Sequence, residues 1–90
     1  MQHKWSKEDD IVAFYLYQFG PESLMITVGK ISKKLGMSEA SLKMRISNFK
    51  AIDGAGGLEN YAKQSEKIYN EYKNFKQDAH MAIVNTILEK

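Results

Sequence analysis

Three short breaks that contain glycine or proline divide this chain, and no segment between them alternates cleanly between apolar and polar residues as a half-buried strand does. Apolar residues between the breaks recur instead every three or four positions, which is typical of helices with one buried face. With 90 residues the chain is long enough for one small domain. The sequence therefore predicts an all-α fold in a single helical domain over residues 1–90, with breaks at Gly20-Pro21, at Gly36 and at Gly54, Gly56 and Gly57.

The composition excludes several classes of protein. Because there is no cysteine, the chain can form no disulfide framework, no thiolate zinc site and no cysteine nucleophile. No stretch approaches the roughly 18 apolar residues of a membrane span, and the N-terminus lacks the apolar run of a signal peptide. We therefore expect a cytoplasmic protein with no membrane partner.

The first helix is predicted between about Lys7 and Phe19. Ser6 is a favourable N-cap residue with Asp9 three residues later, and the acidic residues 8–10 suit the positive end of the helix dipole. Apolar side chains cover much of its circumference, so we expect this helix to be central to the core. Trp5 is expected to be a core aromatic that closes the first helix against the third.

Residues 27–50 have the layout of a helix-turn-helix. Thr27 is the predicted N-cap of a second helix over Val28 to Leu35, and Gly36 suits the left-handed position that ends it. After a turn of about three residues, Ser38 caps a third helix, and Ser32 is small where the two helices must approach closely. This layout is that of the DNA-binding motif, although it also occurs in proteins that never contact DNA. The apolar positions fit it: Ile31, Leu35, Met37, Leu42, Ile46 and Phe49.

Positive charge is concentrated in the same segment. Residues 27–50 include six basic residues and one acidic residue, a net charge of +5, whereas the rest of the chain holds seven basic and ten acidic residues, a net charge of −3. A basic unit on an acidic body favours attraction to phosphates. The alternative is a solvated, lysine-rich helix face.

Ten residues of the basic unit are candidate DNA contacts. On the outer face of the third helix, Lys43 suits a guanine edge or a phosphate, Met44 suits a thymine methyl group, and Asn48 suits an adenine edge. Three alternatives stay open: Met44 packs in the core, Asn48 caps the following loop, or Lys43 is a plain surface charge. The other candidates are Ser47 on the same face, Ser38 and Ser41 near the helix N-terminus as donors to phosphate, and Lys33, Lys34, Arg45 and Lys50 as phosphate contacts.

The C-terminal segment from about residue 59 to residue 89 is predicted to be helical, with an approximate heptad seam. A continuous helix of that length would extend about 45 Å, whereas a domain of this size is only about 30 Å across. The segment therefore either breaks, with Asp78 as the N-cap of a separate last helix, or overhangs the domain. Its apolar end packs on its own domain or forms a homodimer contact. The seam consists of Tyr61, Ile68, Tyr72, Phe75, Ala79 and Ala82, and the apolar end consists of Met81, Ile83, Val84, Ile87 and Leu88.

Two patterns in the chain carry a resemblance to known proteins. Residues Lys30 to Phe49, with their small residue, glycine, apolar turn residue and serine-initiated second helix, resemble the helix-turn-helix of sigma-factor and response-regulator DNA-binding domains. A wider pattern over residues 5–72 comprises Trp5-Ser6-Lys7-Glu8, the aromatic run Ala13 to Tyr17, the stretch Lys43 to Asp53, Gly57-Leu58, and the pair Tyr69 and Tyr72.

This wider pattern is similar to a region found before HNH-type nuclease domains in restriction-like proteins, and to small stand-alone proteins of phages and mobile elements. The resemblance implies a DNA-targeting or regulatory module. It does not imply nuclease activity, because neither a nuclease part nor a histidine-rich metal motif accompanies it in this sequence.

The sequence contains no constellation for catalysis. His3 and His80 lie at opposite ends, and the glycine-rich turn after Asp53 lacks the lysine and the serine or threonine of a phosphate-binding loop. We therefore expect no enzyme activity, no cofactor and no metal site.

The leading hypothesis for function is a small DNA-binding regulator related to phages, mobile elements or restriction systems. The alternative is a protein-interaction module, such as a phage-encoded inhibitor or a subunit of a nuclease complex, that acts through the C-terminal helix and exposed Met and Tyr residues. A net charge of only +2 favours this alternative, since dedicated DNA binders are usually more basic. A structural dimer with no separate activity is a third interpretation.

Overall fold

The computed structural model describes residues 5–54 and 63–89, and these two ranges are helical with no strand. This confirms the predicted all-α fold. A short 3-10 turn, Glu22–Leu24, follows the first helix. The helices are α1 (Lys7–Phe19), α2 (Val28–Leu35), α3 (Glu39–Ile52), α4 (Lys63–Tyr72) and α5 (Gln77–Leu88).

The N-termini of the first three helices are held by the side chains that the sequence predicts as caps. In α1 the capping is reciprocal, because Ser6 Oγ accepts from the Asp9 amide and the Asp9 carboxylate accepts from the Ser6 amide, both at 3.1 Å. Thr27 Oγ1 accepts from the Lys30 amide at 3.2 Å and starts α2 in the same way. These local bonds explain why the predicted bounds of α1 and α2 are confirmed.

Helix α1 lies at the centre of the domain, as predicted. Its residues 11–16 are all buried, because α3, α4 and α5 pack against different sides of the helix. The Phe14 ring shows this arrangement, since its centroid lies 5.0 Å from that of Phe49 in α3, 5.5 Å from that of Tyr69 in α4 and 5.8 Å from that of His80 in α5. Because α1 contacts another helix on each of three sides, its sequence is apolar around much of the circumference.

The C-terminal segment breaks between Tyr72 and Gln77, so that α4 and α5 both pack against α1. The N-cap position of α5 is Lys76, and the prediction of Asp78 is wrong by two residues. Asp78 lies inside the first turn, where its Oδ1 accepts from the amide of Ala79 at 3.0 Å.

The heptad seam is correspondingly wrong beyond Tyr72, because the break rotates the chain between the two helices. Phe75 lies in the connecting turn and is 39% exposed, and Ala79 and Ala82 are exposed. The buried face of α5 is instead formed by His80, Val84 and Leu88. Tyr61, the first residue of the predicted seam, lies outside the described residues.

The burial of α5 corrects the set of residues predicted for a homodimer contact. Val84 is fully buried and Leu88 is 8% exposed, so both belong to the core of their own domain. Met81, Ile83 and Ile87 are half-buried at the edge of that core. A contact with a second copy therefore stays a prediction for these three residues only.

Gly36 ends α2 in the left-handed conformation, with φ of +80°, and an added Cβ would meet nothing within 4 Å. Substitution by alanine is therefore opposed by the backbone alone. We expect Gly36→Ala to lower the free energy of unfolding by about 1 kcal/mol, measured by urea denaturation. Gly36→Asn should lose less, because asparagine tolerates this conformation better. Equal stability of the alanine variant and the unmodified protein would contradict the left-handed conformation of Gly36.

Candidate nucleic-acid interface

Helices α2 and α3 are joined by residues 36–38, which form a tight turn. The amide of Gly36 donates to the carbonyl oxygen of Lys33 at 3.1 Å, and the amide of Met37 donates to that of Ser32 at 3.0 Å. The side chain of Met37, in the middle of the turn, is buried. Ser38 Oγ accepts from the amide of Ser41 at 3.1 Å, and α3 begins there. The sequence therefore folds locally into two helices joined by a short connection in which the Gly36 and Met37 amides are hydrogen-bonded to α2.

The inner faces of these two helices meet closely. Ile31 of α2 and Leu42 of α3 are fully buried in the shared core. Ser32 is also buried, and its hydroxyl donates to the carbonyl oxygen of Gly29 at 2.7 Å, so no polar group is left unsatisfied by its burial. Ser32 thus has the small size and satisfied hydroxyl that the close approach of the helices requires.

The outer face of α3 is open to solvent. Ala40, Lys43, Ser47 and Lys50 recur at helical spacing and are all exposed, and Met44 beside them is 71% exposed. The alternative in which Met44 packs in the core is therefore wrong. Ser41 and Asn48 are half-buried, so they form the edge of this face.

Several polar side chains of α3 are bonded back to their own helix. Ser47 Oγ donates to the carbonyl oxygen of Lys43 at 3.2 Å, and Asn48 Nδ2 donates to that of Met44 at 3.4 Å. The bond of Asn48 lies one turn back within the helix, so it does not cap the following loop. Ser38 Oγ donates to Ser41 Oγ at 3.0 Å. These bonds hold short side chains close to the helix, which keeps its outer surface narrow.

Lys43 forms an ion pair with Glu39 one turn earlier, at 3.0 Å between Nζ and Oε2. Both side chains are at least half exposed, so the pair contributes little to stability and can open. A Cβ on Gly29 would lie 2.9 Å from the carboxylate of Glu39, so the glycine leaves room for this carboxylate beside the first turn of α2. Glu39 therefore partly offsets the positive charge of Lys43.

Five lysines of residues 27–50 are exposed, and together they form what we call the basic surface. Glu39 is the single acidic residue in that segment, which leaves a net charge of four on the exposed side chains. Such a surface raises the local concentration of polyanions. Its residues are Lys30, Lys33, Lys34, Lys43 and Lys50.

Arg45 does not belong to the basic surface, which corrects its assignment as a phosphate contact. Its side chain is only 13% exposed and forms a bidentate pair with Asp10 of α1, with Nε to Oδ1 at 2.7 Å and Nη2 to Oδ2 at 2.8 Å. The guanidinium also lies 4.5 Å above the ring of Trp5. Arg45 and Trp5 therefore join α3 to the start of the chain. Trp5 is half-buried at the edge of the core, so the prediction of a core aromatic is met only in part.

The fully buried Asp10 is the centre of this polar cluster. Besides Arg45, its carboxylate accepts from Gln64 Nε2 at 2.6 Å and from Ser65 Oγ at 2.9 Å, both in α4. The sequence alone suggests only that Asp10 suits the helix dipole, and this role is visible in the structure. The available signal was its spacing, because Asp10 lies four residues before Phe14 and therefore on the same, buried face of α1.

A second polar cluster holds the C-terminal end of α3. Asp53 directly follows the helix, and its two carboxylate oxygens accept from the hydroxyls of Tyr17 and Tyr69, each at 2.7 Å. The hydrogen bonds from Tyr69 and Tyr17 lower the pKa of Asp53. The hydrogen bond to the Asp53 carboxylate is the main cause that raises the pKa of Tyr17 to about 12 and also raises the pKa of Tyr69. One carboxylate thus connects α3 to α1 and α4.

These pKa shifts give the cluster a defined dependence on pH. Because the pKa of Asp53 is lowered, its stabilising effect is present above the unfolded value near 4 and is lost as the pH falls through the folded value. Because the pKa of Tyr17 is raised, its effect is present below about pH 10 and is lost as the pH rises through about 12.

We expect Asp53→Asn to move the pKa of Tyr17 from about 12 back toward its ordinary value near 10, because the carboxamide accepts the hydroxyl's hydrogen bond more weakly than the carboxylate does and carries no charge. Ultraviolet titration of tyrosinate measures this change, and the same titration of Tyr17→Phe identifies the high-pH component. Identical titration curves for Asp53→Asn and the unmodified protein would show that the carboxylate does not cause the raised pKa of Tyr17.

Comparisons of this chain with protein-family models, with curated proteins and with solved structures gave no match. The resemblances stated from the sequence therefore stay predictions. Within residues 5–54 and 63–89, no helix is both long and apolar enough to cross a membrane. Across the same residues, no three His, Asp or Glu side chains are grouped so that they could hold a metal ion.

Proposed function

We propose that this protein binds double-stranded DNA, with α3 in the major groove and the basic surface against the phosphates. The observation that carries the proposal is the outer face of α3, which is exposed, narrow and lysine-bearing, and which follows a tight turn from α2. A major groove about 12 Å wide admits one α-helix.

The side chains have different roles in this arrangement. Lys43, Met44 and Ser47 face the base edges, and Asn48 and Ser41 reach the groove wall from the edge of the face. Lys33, Lys34 and Lys50 contact phosphates, which fix the position of the helix without reading sequence. Ser38 lies at the exposed N-terminus of α3, where its hydroxyl would donate to a phosphate oxygen in place of Ser41 Oγ.

The direct test is a fluorescence anisotropy titration of a mixed-sequence duplex at several salt concentrations. The proposal expects binding at low salt, with a logarithm of the binding constant that falls linearly as the logarithm of the salt concentration rises. An absence of binding at low salt would refute it.

The proposed biological role is that of a regulator, as the similarity to regions before HNH-type nuclease domains and to phage and mobile-element proteins suggests. We propose no enzyme activity and no cofactor. If the protein acts as a homodimer, the half-buried Met81, Ile83 and Ile87 of α5 are its candidate contact, and a two-fold operator would match the symmetry.

One observation favours a second candidate, a protein-interaction module. Met25, just after the short 3-10 turn, is 91% exposed and has a left-handed backbone with φ of +60°, which is unusual for a non-glycine residue. Together with Met44 it places two large apolar side chains in solvent. Tyr17 and Tyr69 support this candidate less, because both hydroxyls are bound to Asp53.

The two candidates are separated by capture from a cell lysate before and after nuclease treatment. A protein partner retained after DNA is removed, and lost in Met25→Ser, would favour the interaction module. Loss of all captured material on nuclease treatment would favour DNA binding.

A further inference from the structure

The chemistry of the outer face of α3 changes at one position. Ala40, Lys43, Ser47 and Lys50 are small or polar, whereas Met44 is a long apolar side chain that is 71% exposed. A single exposed apolar residue is ordinary on a protein surface, so exposure alone indicates nothing. The neighbouring side chains along the helix distinguish Met44 from an ordinary exposed residue.

The residues one turn away from Met44 on either side do not extend as far from the helix. Ala40, four residues earlier, has only a methyl group, and Asn48, four residues later, is half-buried with its Nδ2 bonded to the carbonyl oxygen of Met44 itself. Ser47 Oγ is bonded back to the carbonyl oxygen of Lys43. Met44 therefore extends further from α3 than Ala40, Ser47 and Asn48 around it, and unlike the exposed Lys43 it has no polar group to offer a base edge beyond a weakly accepting sulfur.

The major groove has one apolar feature that matches such a side chain, the methyl group on C5 of a pyrimidine. Against a bare base edge, methionine would remove water from hydrogen-bonding groups without replacing the lost bonds. Against a methyl group it buries apolar area on both sides. Thymine carries this methyl group, and 5-methylcytosine presents it at the same place on a G·C pair.

We propose that Met44 is a specificity-determining residue that selects DNA with a methyl group on pyrimidine C5, so that the protein prefers thymine over uracil and 5-methylcytosine over cytosine at one position of its site. This inference rests on the proposed function, since it requires α3 to lie in the major groove. It adds the chemical class of the base that the helix selects.

The test begins with the duplex most enriched by the protein from a random-sequence pool. Each thymine of that duplex is replaced in turn by uracil, and each cytosine by 5-methylcytosine, and the dissociation constant is measured by anisotropy. We expect at least one of these changes to alter affinity about three- to fivefold in favour of the methylated base, which is the effect of burying one methyl group. Met44→Ala should abolish this difference and leave the salt slope unchanged, and Met44→Leu should keep most of it.

Lys43→Gln is the matched control, because it changes the adjacent exposed residue. It should weaken binding to methylated and unmethylated duplexes by the same factor. If the unmodified protein binds the duplex but no methyl group alters its affinity, or if the methyl effect persists in Met44→Ala, the inference is overturned while DNA binding stands. If no duplex is bound at low salt, the proposed function and the inference both fail.

Discussion

Glutamine substitution of four lysines on the basic surface is expected to weaken duplex binding at least about 100-fold at 0.1 M salt. Each lysine that contacts a phosphate displaces condensed counterions, so the loss of four contacts should reduce the slope of log K against log salt by up to about 3.6. All four side chains are exposed, and their replacement should change stability little. The variant combines Lys33→Gln, Lys34→Gln, Lys43→Gln and Lys50→Gln.

A matched control for this experiment exists on α4 and on the turn that follows it. Four lysines there are exposed in the same way, so their replacement removes the same net charge from a different part of the domain. We expect this control to keep most of the affinity and most of the salt slope. Equal losses of affinity in the two variants would contradict a localised interface. They would indicate only a general electrostatic attraction between the domain and DNA. The control combines Lys63→Gln, Lys67→Gln, Lys73→Gln and Lys76→Gln.

Arg45→Met is expected to lower the free energy of unfolding by about 3–5 kcal/mol. The substitution preserves much of the apolar stem but leaves the carboxylate of Asp10, which is fully buried, without its cationic partner. A domain of this size has a total stability of only about 5–14 kcal/mol, so the loss is a large part of the whole. Urea denaturation followed by the fluorescence of Trp5, the single tryptophan, measures it next to the altered site.

Two further variants decide whether the ion pair is the cause. Lys43→Met makes the same substitution two residues earlier at an exposed site, and its effect should lie within about 0.5 kcal/mol. The double variant Asp10→Leu with Arg45→Met removes both charges and should recover part of the loss. Recovery stays incomplete because the buried hydroxyl of Ser65 then lacks its acceptor. A cost in Arg45→Met no larger than that in Lys43→Met would contradict the role of the pair.

Arg45 and Lys43 have different roles although they lie two residues apart on α3. From the sequence, Arg45 and Lys43 are both basic residues of the third helix and both suit a phosphate. In the folded domain, the half-turn between their side-chain directions places one against Asp10 and the other in solvent. Arg45 is then a positioning residue, which holds α3 to α1 so that Lys43 and Met44 present a fixed surface.

Local signals account for what could be predicted. The caps Ser6, Thr27 and Ser38 act through bonds to amides three residues away, so the residues that decide them are adjacent in the sequence. Gly36 likewise ends α2 because of its own backbone freedom. The outward direction of Met44 follows from helical spacing relative to Leu42 and Phe49, which are buried.

Long-range contacts account for what could not be predicted. The break between Tyr72 and Gln77 ends at the N-cap position Lys76, which makes no side-chain cap bond, so no capping residue marks the start of α5. The burial of His80 among aromatic rings of α1 and α4 depends on how α5 packs there. The same holds for Val84 and Leu88, whose apolar character suits a core or an interface equally well.

The sequence by itself determined the helical class, the bounds of α1 and α2 and the turn between α2 and α3, because hydrogen bonds and backbone preferences within a few residues decide them. Only the tertiary structure decided which charged side chains are available to a ligand. Asp10 and Arg45 are 35 positions apart in the chain, and the charge of each becomes unavailable only when the packing of α1 against α3 brings them to 2.7 Å.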